Sequence, residues 1–498
     1  MRRYPIFLLL LLLFFTVLSG TAQDIKNCRY ITLDQAIQIA RDQSPDALNA
    51  KQEFRSSFWA YRTFQGTYLP QVGITAQLPF LNRSIEKYTN PDGTETFLHQ
   101  QYIDYSANLA ISQKVGPLGG TFSVTSGLQR IDNFFSDTTT HNYLSVPFNI
   151  GYTQPIFQFN AYRWDKKIQP LKYNQAKRKY LENIEQISLT TTGYFFDLLK
   201  AQIVKKIALT NLSNYDTLYR IAKGRYQLGK IAENDLLLLE LNFLKAQSAV
   251  ETANLSLDNA LFKFRSFLRI NDTIPITLVP PSEINYFKAE PDEAIVQATT
   301  NSSQSLDFSR RLLEARRDVR QAKTQNRFSA ELTAVYGYTQ NADKIDNVYN
   351  NPLDQQQVAL NLTIPILDWG VSKGNIKVAE AQEEIVKNSV EQEIIDFKRN
   401  IYLKVVQFNM QPNQLRIAAK SDTVAKKTYE VTKGRYLIGK INSILDLNNA
   451  QIETDDAEMN YYTALQNYWQ NYFELRKMTL YDFRIKQPLN FNIKDIRL

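Results

Sequence analysis

The residues best suited to recognition chemistry come as a near-identical pair. KGRYQLGKI occupies 223–231 and KGRYLIGKI occupies 433–441, 210 positions apart, with seven of nine residues matching. Each stretch joins three cations, Lys223, Arg225 and Lys230 or Lys433, Arg435 and Lys440, to a tyrosine, Tyr226 or Tyr436, and ends on a glycine turn at Gly229 or Gly439. Such a set suits binding rather than bond making. The rest of the chain offers no catalytic alternative. It has two histidines, His99 and His141, both in polar stretches that read as loops. There is no clustered set of metal ligands, no glycine-rich phosphate loop and no supported Ser–His pairing. An enzyme is therefore not expected, and neither a metal nor a cofactor is implied. Cys28 is the only cysteine, so no internal disulfide can form. It follows Lys26-Asn27 rather than the small residues that precede a lipidated cysteine, so it reads as an unmodified thiol.

The elements that hold these stretches belong to an exported chain. A length of 498 residues would ordinarily mean two to four domains. Arg2 and Arg3 precede an apolar run from Ile6 to Leu18, followed by Ser19-Gly20-Thr21-Ala22. Residues 1–22 thus read as a secretory signal peptide cleaved after Ala22. The run is too short for a comfortable membrane span. Removal of Arg2 and Arg3 lowers the net charge from +8 to +6. A pI near 9.1 could suggest nucleic acid, but the cations are scattered among 50 acids, as on a solvated surface of mixed charge, and no nucleic-acid partner is expected. After the signal no apolar run reaches eighteen residues, so any crossing of a membrane must use β-strands in a closed barrel.

The repeat extends well beyond the nine residues. TQPIFQF at 153–159 answers IPILDWG at 364–370, with Pro155 and Pro365 again 210 apart. LDQAI at 33–37 answers PDEAI at 291–295, and the offset there is 258, as it is for 70–77 against 328–335. The first half therefore holds about 48 extra residues between roughly 78 and 154. The chain reads as an internal duplication, 23–280 and 281–485, with a tail at 486–498.

The helical pattern is long. From Ala161 to Leu228 the sequence is rich in Lys, Glu, Gln, Leu and Ile, and 67 residues in a helix span about 100 Å. Pro170 lies near its start, where a kink or a delayed onset is expected. The partner runs over 371–438, with a kink or break expected at Pro412. A second helix, 232–270, carries apolar residues at 3-4 spacing from Leu236 to Phe267, the pattern of a coiled-coil seam. Helix 443–482 repeats it, from Leu447 to Met478. Helices 32–66 and 232–270, about 52 and 58 Å long, together match the long helix. Stacked end to end beside it, and repeated in the second half with helix 291–326, they make a wall of antiparallel helices. Residues 271–290 then link the stacked pair on the outside.

Between the helices the period changes to two. Leu144, Val146, Phe148, Ile150 and Tyr152 face one way, and Ser145, Asn149, Gly151 and Thr153 the other. Val72, Ile74, Ala76 and Leu78 form another such face, as do Ala330, Leu332, Ala334 and Tyr336, and Val358, Leu360, Leu362 and Ile364. One apolar and one polar face suits a half-buried sheet or an outer-membrane barrel. The first half has strands within about 70–156 and the second within about 328–366, and NRSIEKYTNPDGTET (82–96) reads as a polar linker. The extra segment adds YSANLAISQ (105–113) and TFSVTSGLQ (121–129). Four or six strands per chain are fewer than the eight of the smallest membrane barrels, so copies must associate, and three would give twelve or eighteen.

A duplicated strand-pair and long-helix unit, a signal peptide and twin R-Y-x-x-G turns resemble the TolC family of outer-membrane efflux proteins over about 30–485. The resemblance implies an α+β membrane protein: a trimer sharing an outer-membrane β-barrel that continues into a long antiparallel coiled-coil tunnel in the periplasm. It implies docking of an inner-membrane pump and a periplasmic adaptor at the far end, with the duct passive. It places Arg225, Tyr226, Gly229, Lys230, Arg435, Tyr436, Gly439 and Lys440 at adaptor-docking hairpin tips, and Asp235, Tyr436 and Asp446 at the periplasmic aperture. The pattern departs at two positions: the gating arginine is Ile441 here, and a second acid is Asn449, so the closing network must differ, with Lys440 a candidate substitute. A ring of Asp446 from three chains would favour cations, unless it only caps the hairpin. The family barrel has twelve strands, which favours reading the 48 extra residues as a long outer hairpin over the mouth rather than two added strands. Trp164 and Trp369 read as interfacial aromatics. Small-molecule efflux is the first expectation. Polypeptide secretion through the same duct and a non-conducting structural role in the envelope are the alternatives.

Overall fold

The computed structural model describes residues 28–134, 138–272, 274–282, 284, 286–438, 440 and 444–490. The signal peptide, its cleavage site, the end of the tail, Gly439 and Ile441 lie outside the described residues. The chain divides into two compact units: one of Glu53–Arg178 with Ser303–Phe397, and a second of the remaining segments, up to Gln52, Lys179–Ser302 and from Lys398 on.

The first unit holds a six-stranded sheet with strand order β2-β3-β4-β5-β7-β8, every neighbour antiparallel. The strands are β2 (Gln71–Thr89), β3 (Glu95–Val115), β4 (Gly120–Phe134), β5 (Thr139–Ile156), β7 (Ser329–Ala342) and β8 (Leu353–Thr363). The period-two pattern dictates the faces. One register row, Val72–Ile111–Val124–Ile150–Tyr336–Gln356, crosses the whole sheet and is apolar until its last member. The adjacent row on the other face is Gly73–Ala110–Thr125–Asn149–Gly337–Gln355, small or polar throughout. Gly337 is required there: a Cβ would run into the Phe148 carbonyl oxygen.

Three expectations change here. The extra residues are not a hairpin laid over the strands; they supply β3 and β4, paired on both sides within the sheet. The supposed linker 82–96 is mostly strand, reversed by a tight turn in which Asn90 N–H donates to the Thr94 carbonyl at 2.8 Å and Gly93 takes φ 83°. Its polar side chains misled because an exposed ribbon needs no apolar face. His99 and His141 consequently sit in β3 and β5, not in loops.

The helices are α1 (Leu33–Gln43), α2 (Pro45–Thr67), α3 (Ala161–Gln227), α4 (Glu233–Leu268), α5 (Pro291–Asn301), α6 (Ser303–Gln325), α7 (Val371–Leu437) and α8 (Ile444–Thr479). Helix 32–66 is thus divided at Ser44, which is extended (φ −62°, ψ 152°) because the following Pro45 disfavours a helical residue before it. Helix 291–326 is divided at the equivalent Ser302, also extended. α7 passes through Pro412 without the expected break. Phe408 and Leu415, buried on either side, offset the lost backbone bond, worth about 3 kcal/mol. α3 likewise contains Pro170. No described helix is long and apolar enough to cross a membrane.

In the second unit the 271–290 linker contributes β6 (Ile276–Val279), which pairs in parallel with β1 (Arg29–Thr32). The α1 end meets the α4 end there, with Gln43 Nε2 donating to the Leu268 carbonyl at 2.7 Å. Glu185 on α3, 5 % exposed, receives Arg41 Nη2 at 2.8 Å and Arg476 Nε at 3.1 Å. Arg476 also reaches Asp482 at 3.3 Å, and the Tyr472 hydroxyl donates to the same carboxylate at 2.9 Å. A buried carboxylate between two guanidiniums ties α1, α3 and α8 together with the turn after α8.

Candidate functional site at the helical hairpin turns

Both KGRY stretches end long helices and lie in the second unit. The turn chemistry follows from the sequence. Lys230 N–H donates to the Arg225 carbonyl at 2.8 Å, and Lys440 N–H to the Arg435 carbonyl at 2.9 Å, the same six-residue closure in each copy. This is the Schellman arrangement, which needs a left-handed residue just past the helix. Gly229 supplies it with φ 64°. Asp235 lies in the first turn of α4 and Asp446 in the first turn of α8, where a carboxylate suits the helix N-terminus.

The two tyrosines meet opposite fates. Tyr436 is buried at 2 % exposure, whereas Tyr226 is 41 % exposed. Tyr436 lies in a cluster of Leu218, Ala222, Leu239, Tyr429, Ile444 and Leu447, through which hairpin α7–α8 packs on hairpin α3–α4. The Arg225 guanidinium covers its ring at 5.4 Å and donates to the Leu437 carbonyl at 3.0 Å. Asp235 is close enough to act on the phenol. Burial pushes that phenol above its usual range, Arg225 opposes this, and Asp235 adds to it. The buried Tyr436 hydroxyl stands beside the Arg225 guanidinium, without a well-formed hydrogen bond among the described residues. The structure therefore brings Arg225 over the Tyr436 ring, with the charge of Asp235 felt at the phenol. Asp446 is exposed, as are Tyr226, Lys230, Arg435 and Lys440. Gly439 lies outside the described residues. Leu228 (75 %) and Ile438 (66 %) stand exposed beside these cations.

A polar belt behind the turns escaped the sequence reading. The Tyr215 hydroxyl donates to Asn448 Oδ1 at 2.7 Å, and Asn211 Nδ2 donates to Asp455 Oδ2 at 2.6 Å. Lys433 Nζ donates to Asn214 Oδ1 at 3.0 Å and faces the Tyr429 ring at 5.5 Å. Burial raises Tyr215 to about 12, with Asp455 adding to the shift, and raises Tyr429 further. The Asp455 carboxyl is raised by burial despite its two amide donors. These residues recur at helical spacing on α3 (211, 215) and α8 (448, 455), the only hint the sequence carried. No group of three metal-ligating side chains occurs among the described residues.

A sheet with one apolar and one polar face suits the wall of an outer-membrane barrel, and the same chain carries two long helical hairpins. The sequence pattern of the outer membrane efflux protein family matches residues 36–268 and 296–479, in two segments, and the chain belongs to that family. Comparison with curated proteins gives no match. Among solved structures, the fold is similar to the Campylobacter jejuni CmeC outer membrane channel, at 17 % identity and TM-score 0.64, covering 93 % of this chain and 88 % of that one. It is also similar to the outer membrane protein VceC of Vibrio cholerae, at 12 % identity and TM-score 0.62, covering 92 % and 97 %. The open state of the Neisseria gonorrhoeae MtrE outer membrane channel matches at 14 % identity and TM-score 0.60, covering 92 % and 91 %.

Proposed function

We propose that three copies of this chain form a passive exit duct of a tripartite efflux system, with the sheets in the outer membrane and the helices in the periplasm. The observation that carries it is the sheet, apolar on one face and polar on the other, with β2 and β8 as open edges. Lipid does not tolerate open edges, and closure by further copies gives a water-lined bore. The helices support association. On α7, Leu403, Met410, Ile417, Val424 and Val431 recur every seven residues and each is more than half exposed. That is an apolar stripe at heptad spacing left largely uncovered among the described residues, as a coiled-coil contact with another copy would need.

At the turns, the exposed Leu228, Ile438, Tyr226, Lys230, Arg435 and Lys440 form an apolar and basic surface that fits the helical tip of a periplasmic adaptor bridging to an inner-membrane pump. Arg225 and Tyr436 hold one hairpin on the other, Asp235 lies in the first turn of α4, and Asp446 faces solvent where three copies would surround the aperture. Small solutes are the cargo, driven by the pump, and the duct itself carries out no bond chemistry. The test is accumulation of a fluorescent efflux dye in cells with and without the gene. Higher accumulation on deletion, reversed by the intact gene, is the expected result. Unchanged accumulation together with a missing secreted protein would transfer the duct to polypeptide secretion.

A further inference from the structure

The first repeat is longer than the second by about 48 residues, and these carry β3 and β4. We propose that β3 and β4 are membrane wall, so that each chain contributes six strands and three copies close an eighteen-stranded barrel. This rests on the duct reading above for the number of copies and for the lipid.

The counterparts of β7 and β8 in the first repeat are β2 and β5, and they are not neighbours; β3 and β4 stand between them. A hairpin lying over the mouth would leave β2 paired with β5. Instead β2 pairs with β3 from Gln71↔Ser112 upward, and β3 with β4 down to Val115↔Gly120. The turn between β3 and β4 reaches the helix end of the sheet: Asn160, one residue before α3, donates from Nδ2 to the Gly116 carbonyl at 3.0 Å. Both inserted strands thus traverse the full height.

Their faces match those of the flanking strands. Ala107, Leu109 and Ile111 on β3 and Val124 and Leu128 on β4 share the apolar face with Val72 and Ile150. Aromatic residues bound this band. At the helix end Phe122 pairs with Tyr152. At the far end Tyr105, Arg130 and Tyr143 form one row, with the guanidinium 5.8 Å from each ring. Eight residue steps separate Phe122 from Arg130. At about 3.4 Å per residue and a tilt of about 40°, that is about 21 Å along the axis, close to the apolar band of about 25 Å in outer-membrane barrels.

The edges fit a second copy of the same chain. β2 leaves the helix end and β8 returns to it, so β8 of one copy meets β2 of the next antiparallel, as every other pair in the sheet does. Val72 and Ile74 on one edge and Val358, Leu360 and Leu362 on the other lie on the same apolar face. Eighteen strands about 4.8 Å apart at that tilt give a barrel about 36 Å across, against about 24 Å for twelve. The outer-membrane section is then about half again as wide as a twelve-stranded one.

The test uses the full chain in phospholipid vesicles with Cys28→Ser as background. Nitroxide labels are placed at Leu109→Cys and Val124→Cys, at Asn108→Cys and Thr125→Cys, and at Val358→Cys on β8 as the lipid-facing reference. Positions 109 and 124 are expected to favour oxygen over an aqueous nickel complex within twofold of position 358, with the preference reversed at 108 and 125. Labels at 109 and 124 that favour nickel while 358 favours oxygen would overturn the proposal and leave the duct intact. Nickel access at 358 as well would remove the duct reading and this proposal with it. Electron microscopy of the unlabelled trimer counts the strands independently: eighteen supports the assignment and twelve refutes it.

Discussion

Tyr436 offers a sharp test of how the hairpin turns are held. Its ring is buried among Leu218, Leu239, Tyr429, Ile444 and Leu447 and lies under Arg225, while its hydroxyl makes no well-formed hydrogen bond among the described residues. What Tyr436 itself adds to the docking of hairpin α7–α8 on hairpin α3–α4 is therefore chiefly the packing of its ring, beside the hydrogen bonds that Arg225, Lys433, Tyr215 and Asn211 make across the same contact. Tyr436→Ala removes a buried aromatic, a change that costs about 3–5 kcal/mol in well-packed sites. Tyr436→Phe keeps the ring and deletes a buried hydroxyl whose one polar neighbour, Arg225, makes no well-formed hydrogen bond to it, so stability should change by no more than about 1 kcal/mol. If about 3 kcal/mol of the alanine loss falls on hairpin docking, the ratio of docked to undocked turns drops by about 100-fold. Single-channel recording in planar bilayers reads this directly. The alanine variant should dwell in a high-conductance state that the parent rarely visits, and the phenylalanine variant should match the parent. Equal opening by both variants would refute the reasoning, because it would show that the hydroxyl carries the contact.

Other expectations follow from the same geometry. Arg476→Ala leaves Glu185 with one of its two buried cations and should lower unfolding free energy by about 3 kcal/mol, with Arg476→Lys intermediate; chemical denaturation of the purified protein measures both. Burial raises the Tyr215 phenol from its usual value near 10 to about 12, so the folded state favours the protonated form. Its contribution is complete below about pH 10 and is lost as pH rises from about 10 to about 12, where conductance should increase reversibly. An opening midpoint below pH 9 would exclude the tyrosines as its cause. Gly229 has a left-handed φ, but a Cβ there meets nothing within 4 Å. Gly229→Ala should therefore cost only about 1–2 kcal/mol, while Gly229→Trp should leave trimers in the outer membrane and abolish export. Unchanged export with tryptophan would remove the docking role.

Much of the architecture was legible because it is written as periodicity. The 3-4 spacing from Leu447 to Leu475 marks a face that the structure buries at Leu447, Ala450, Thr454, Tyr468 and Leu475. The alternation in 148–152 and 358–363 shows which side chains share a face of the sheet, whereas a register shift between Ser145 and Phe148 turns Leu144 and Val146 to the other face, against the expectation from their spacing. The errors have local causes. Pro412 suggested a break that flanking buried side chains prevent, whereas the break at Ser302 has no proline to announce it. β3 and β4 were found, but not their place in the sheet, since strand order depends on pairing between distant segments. At the turns the repeat gave Arg225, Gly229 and Tyr436 but could not separate Tyr436 from Tyr226. The motif is the same in both hairpins, and only one of the two faces the other hairpin of its own chain. The belt of Asn211, Tyr215, Asn448 and Asp455 was missed because single polar residues on long helices look like solvated surface until two helices bring them together.

Under the proposed function this chain forms an ion-permeable duct needing no energy source of its own. Planar-bilayer recording of the purified full-length protein tests it most directly, with Tyr436→Ala alongside the parent. Discrete conductance steps in symmetrical salt without nucleotide, short in the parent and sustained in the alanine variant, are the expected result. Stable insertion of both proteins with no conductance at any voltage would contradict the claim and leave a structural role in the envelope.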